Sequence, residues 1–168
     1  MNFLSRDEAT LLEKKLRREI AEYASPKLVL YYDSGDRDYS AAANAIARSA
    51  ENFGEATVLF LFSVGGDGWN EHSAKDQRWN RYRKWRAANK EDRRLYEAPG
   101  HRFESREVEQ FSKTIEFALQ LGWDALVAAK PKRQLLFLSH DDRLEIYRGF
   151  TGRLLAKQLT GLGYWHQS

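Results

Sequence analysis

The chain has 168 residues and a mass of 19.6 kDa, 42% hydrophobic, 30% charged and 13% aromatic, which predicts one globular domain over 1–168 and excludes a disordered chain. It has no cysteine, which excludes disulfides, thiolate nucleophiles, iron–sulfur ligation and sulfur-built zinc sites. Its net charge is only +3, too mild by itself to imply nucleic acid.

In chain order, Ser5 and Glu8 form the pattern of a capping box, and Leu12, Leu16, Ile20 and Tyr23 recur at helical spacing, so a helix is predicted over 6–24. Arg6, Asp7 and Glu8 interrupt the place of a signal-peptide apolar segment, and the longest uncharged runs, 56–66 and 158–168, are too short to span a bilayer. No membrane association and a cytoplasmic location are the expectation. Residues 28–32 and 57–62 are apolar runs rich in branched and aromatic residues, read as strands buried on both faces. The alanine-rich segment 40–53, closed by Gly54, is read as a helix. Strand, helix, strand then predicts a βαβ unit with parallel, neighbouring strands.

Residues 70–96 lack glycine and proline and read as a long polar helix broken near 87–90, making 70–100 a helical insertion. Val108, Phe111, Ile115 and Leu119, stopped by Gly122, mark an amphipathic helix. Beyond Trp123 the period switches to two at 125–129, 135–138 and 144–147, joined by short polar turns, which predicts a three-stranded antiparallel meander. Its third strand is expected near an edge. A last helix carries Leu154, Leu155, Leu159 and Leu162. The fold class is therefore mixed α/β of α+β character, with about five strands in one sheet.

Two features carry candidate chemistry. The first is a pair of Gly/Asp segments, each after a strand and before a helix. Asp33, Gly35, Asp36 and Asp38 belong to one; Gly65, Gly66, Asp67, Gly68, Asn70 and Glu71 belong to the other. If the two strands are parallel, both segments leave the same sheet edge, where open α/β sheets bind ligands. Their carboxylates would repel a bare phosphate, so a bridging Mg²⁺ held by oxygen ligands such as Asp33 and Asp67 goes with this reading. Otherwise these residues are simply those of turns and helix caps. Gly65-Gly66-Asp67-Gly68 with Asn70-Glu71 resembles the GGDGTxNE nucleotide-binding motif of diacylglycerol kinases and, in its first four residues, that of NAD kinases. The resemblance implies glycines that cradle nucleotide phosphates. It covers six residues, with Trp69 in place of the motif's threonine and the Asn-Glu pair one position early.

The second feature is the stretch 75–94, where nine Lys/Arg face three acids, a local charge of +6 in a chain whose total is +3. Arg78, Arg81, Arg83, Lys84 and Arg86 interleave with Trp79, Tyr82 and Trp85 at a spacing of three. Cations for phosphates and aromatic faces for bases would suit single-stranded nucleic acid. The competing reading is a buried aromatic stripe with arginines snorkelling around it. Ser139-His140-Asp141 has the residue types of a hydrolase triad, but neighbours in a tight turn cannot assemble that relay, so it is read as a turn. With no catalytic constellation in the sequence, the expected function is a non-catalytic binding protein acting on another protein, as immunity proteins, antitoxins and adaptors do, with no cofactor. The alternatives are a Mg²⁺-assisted phosphate- or nucleotide-binding enzyme or sensor at the Gly/Asp segments, and a nucleic-acid-binding module using 75–94.

Overall fold

A computed structural model describes residues 1–23, 25–32, 38–50, 54–61, 76–130, 134–148 and 152–166. The first three helices begin where the sequence supplies caps. In α1 (Arg6–Ala21) the Ser5 backbone N–H donates to Glu8 Oε2 at 2.8 Å and the Glu8 N–H donates to Ser5 Oγ at 3.4 Å, so two otherwise orphaned groups satisfy each other. The Asp38 carboxylate opens α2 (Tyr39–Ser49) by accepting from the Ala41 N–H at 2.8 Å. Helix α3 (Gln77–Ala88) leaves through Asn89 and a left-handed Lys90 at φ 63°, shorter than the predicted 70–96 and ending at the expected break. Helix α4 (Val108–Leu121) stops at Gly122, φ 61°, a conformation glycine adopts without Cβ strain. Helix α5 covers Gly152–Gly161. No helix among the described residues is long and apolar enough to cross a membrane.

Seven strands, β1 (Asn2–Leu4), β2 (Leu28–Tyr31), β3 (Glu55–Phe60), β4 (Gly100–Glu104), β5 (Ala125–Lys130), β6 (Gln134–Ser139) and β7 (Arg143–Arg148), form one sheet in the order β1-β4-β3-β5-β6-β7-β2. Every pairing is antiparallel. The mixed α/β class and the β5–β6–β7 meander agree with the sequence reading. The parallel βαβ unit does not. β2 pairs with β7 at the far edge and β3 lies between β4 and β5, so the two predicted neighbours stand three strands apart. The alternating pairings still make them point the same way, and their carboxyl ends share one sheet edge, separated by about four interstrand spacings of about 4.8 Å. The physical reason lies in exposure. Val58 and Phe60 face one side of the sheet and Leu59 and Leu61 the other, all buried, so β3 needs neighbours on both edges, whereas β2 is only half-buried at Leu28 and Val29. β7 lies near an edge as expected, next to the edge strand β2, but it is buried at Leu144, Glu145 and Ile146.

The larger core lies on the face that carries α2, α3, α4 and α5, where Phe60, Phe103, Val127, Leu136 and Ile146 meet Ile46, Tyr82, Phe111, Ile115 and Leu159. Helix α1 covers the other face, packing Ala9, Leu12 and Leu16 on Leu4, Leu59, Leu126 and Leu135.

Candidate functional site

The basic stretch forms the best-defined surface feature. Asp76 caps α3, its Oδ1 accepting from the Arg78 N–H at 2.8 Å, and the Arg78 guanidinium, 3.0 Å from Oδ2, holds this carboxyl below its ordinary range. Arg78 also donates to the Gln120 carbonyl at 3.0 Å, tying α3 to α4. Trp79 is 5% exposed and Tyr82 0%, with Trp85 half-buried. The Tyr82 ring lies edge-on to Phe117 at 5.1 Å, to Trp123 at 5.4 Å and to Phe60 at 5.8 Å. The aromatic stripe is therefore packed into the core, and of the sequence-predicted residues Arg78, Arg81, Arg83 and Lys84 are exposed while Arg86 is buried.

Arg86 turns inward at 3% exposure. Its Nη1 donates to Tyr82 Oη and the Ala98 carbonyl, each at 3.2 Å, and its Nη2 donates to the carbonyls of Arg93 at 3.0 Å and Arg94 at 3.4 Å. The guanidinium lies 5.3 Å from the Phe3 ring centre. Among the described residues no carboxylate pairs with it. Residues 91–98 are thus clipped back onto α3 by a cation whose hydrogen bonds among the described residues go to neutral acceptors, with aromatic faces beside it and the Glu91 carboxylate within its electrostatic reach. Behind it, Tyr82 Oη lies 2.9 Å from His101 Nε2. His101 is wholly buried, and desolvation first, then the Arg86 charge, push its pKa well below the ordinary histidine value, so it is neutral.

The returning chain adds what the sequence reading missed. Glu91 is buried, and although burial alone would raise its pKa, the Arg93 guanidinium and N–H, at 2.6 and 2.9 Å from its oxygens, hold it below the ordinary range. Between α3 and this segment opens a cavity of about 460 Å³. Trp79, Leu95 and Arg86 line its buried part, and Arg83, Asp92, Arg93 and Arg94 its exposed rim. Arg83 and Arg94 have no ion-pair partner among the described residues. The only sequence signal for this return was the charge-dense Glu91-Asp92-Arg93-Arg94 just past the helix break.

Of the Gly/Asp residues, Asp38 is the exposed cap of α2. Asp33, Gly35, Asp36, Gly65, Gly66, Asp67, Gly68, Asn70 and Glu71 lie outside the described residues, and with them the Mg²⁺ reading. No group of three metal-ligating side chains occurs among the described residues. The turn reading of Ser139-His140-Asp141 agrees with the structure: Asp124 Oδ1 accepts from the His140 backbone N–H at 2.8 Å and lies 2.9 Å from its Nδ1, pinning the β6–β7 turn to the start of β5. That bond raises the His140 pKa.

The two histidines have opposite pH signatures. His101 is neutral when folded but protonates near pH 6.5 when unfolded, so the unfolded state binds the extra proton and stability falls below that pH, by about 1.4 kcal/mol per unit. His140 stabilises fully below about pH 6.5 and loses its contribution as pH rises through its raised folded value, a small effect for an exposed ring. The carboxylates with lowered pKa, Glu8, Asp76 and Glu91, weaken the fold only at lower pH. Urea melts are therefore expected to show lower stability at pH 5 than at pH 7, and His101→Gln to flatten that difference. No family model, curated protein or solved structure matches the chain.

Proposed function

We propose that the chain is a non-catalytic binding protein, of the immunity, antitoxin or adaptor kind, that docks an acidic segment of another protein against the cavity beside α3. The observation behind this reading is the Arg86 cation, buried at the cavity with no carboxylate hydrogen-bonded to it among the described residues and with Glu91 nearby engaged by Arg93, under a rim where Arg83 and Arg94 are exposed and have no ion-pair partner among the described residues. A buried charge held by neutral acceptors keeps a positive field in low dielectric, and a carboxylate arriving from a partner is stabilised by that field and by charge-assisted bonds to the rim arginines.

Two observations favour a protein partner over nucleic acid. Trp79 and Tyr82 are packed inside, so bases find no stacking platform there. Glu91 and Asp92 line the same cavity and oppose a run of phosphates, whereas a peptide with spaced carboxylates can avoid them. The test is fluorescence anisotropy with an Asp/Glu-rich peptide and with a single-stranded oligonucleotide of equal charge. The double variant Arg83→Glu, Arg94→Glu is expected to weaken peptide binding at least about tenfold, about 1.4 kcal/mol, with an unchanged melting temperature because both side chains are exposed. Salt-sensitive binding of the oligonucleotide without the peptide would replace this reading by the nucleic-acid one.

A further inference from the structure

On the sheet face opposite α3, a second cavity of about 360 Å³ lies between α1 and the strands. Its floor is one cross-strand row in which Arg102, Thr57, Ala128 and Leu135 stand side by side on β4, β3, β5 and β6. The hollow has a packing cause. Thr57 and Ala128 at the centre of the row are small, whereas the neighbouring pair Leu59 and Leu126 fills the space beneath the helix; close-packed interiors leave such voids rarely. Leu12 and Leu16 of α1 form the apolar wall.

The polar lining is unbalanced in a way that points to a ligand. Lys15, Arg102 and Lys130 line the cavity with Glu19 and Glu55, three cations against two acids. Lys130 Nζ donates to Glu55 Oε1 at 3.1 Å, and Glu55 Oε2 forms an ion pair with Arg102 Nε at 3.8 Å, beyond hydrogen-bond reach, on a side chain that is itself half-exposed. Arg102 Nε is buried and has no hydrogen-bond acceptor. Buried polar atoms are almost always satisfied, and a cationic N–H is satisfied best by a carboxylate oxygen.

From this cavity we infer a binding site for a small monocarboxylate with an apolar tail, its carboxylate on Arg102 and Lys15 and its tail over Ala128 and Leu135 beneath Leu12 and Leu16. The row spans three interstrand spacings, about 14 Å, room for a medium-length acyl chain, and the volume lies at the small end of ligand pockets. The charge selects the anion; the leucines select the tail.

The probe is octanoate, followed by calorimetry and thermal shift on the full chain, with octanol and octylammonium as neutral and cationic counterparts. Octanoate is expected to bind at millimolar concentration or below, octanol at least about tenfold more weakly for want of the charge-assisted bond, and octylammonium not at all. Ala128→Leu, which fills the hollow, is expected to abolish binding. Should that variant fail to fold, Arg102→Gln decides, with an expected loss of about tenfold and retained folding. No octanoate binding by the wild-type protein, equal binding of octanol, or undiminished binding by Arg102→Gln would overturn the inference.

Discussion

Arg86→Ala is expected to destabilise the protein by about 3 kcal/mol, because a buried hydrogen-bond network loses the donor that its acceptors share. The side chain is the common donor to Tyr82 Oη and to the carbonyls of Ala98, Arg93 and Arg94. Truncation strands buried acceptors at about 1 to 3 kcal/mol for each fully unpaired group, although relaxation and water entry keep the sum below simple addition. Lysine retains the charge but not the planar fork, so Arg86→Lys is expected to recover less than half of the loss. Because the lost bonds attach 91–98 to α3, hydrogen exchange in the alanine variant should accelerate there before the β5–β6–β7 meander is affected. Urea melts give the magnitude and exchange gives the location; a loss below about 1 kcal/mol would mean that the clip is dispensable.

Phe111→Ala is the second large effect, about 3 to 5 kcal/mol. The ring is fully buried on the inner face of α4, 5.5 Å from the Phe103 ring, in the core cluster that also includes Ile46 of α2 and Ile115 of α4. Removing it loses transfer energy and leaves a cavity that two helices and a sheet cannot close without moving. Phe111→Leu, which keeps most of the volume, should cost much less. Chemical denaturation of both variants checks the ranking, and equal losses would place the residue outside the core.

The parts of the fold that local physics determines were legible. The Ser5–Glu8 pair announced α1, Gly122 announced the end of α4, and the alternation beyond Trp123 announced the meander. Strand neighbours were not legible, because the two-faced burial of β3 states that it has partners on both edges without naming them. β4 was missed because Gly100-His101-Arg102-Phe103-Glu104 is polar at three of five positions. His101 became a core residue only through Tyr82 and the rings of Phe3 and Phe60. In the candidate site the stretch and its charge were readable. The division of labour within it was not: Arg86 differs from Arg83 by one turn of helix, and what makes it a buried clip is a set of carbonyls contributed by residues 93–98.

The most direct measurement of the central proposal is the backbone amide spectrum of the isotopically labelled protein titrated with the acidic peptide. The expected result is saturable shifts confined to 79–95, with α1 and the cavity beneath it unmoved, and their disappearance in the Arg83→Glu, Arg94→Glu protein. An unchanged spectrum, or shifts centred on any other surface, would contradict the assignment of α3 and its return segment as the partner-binding face.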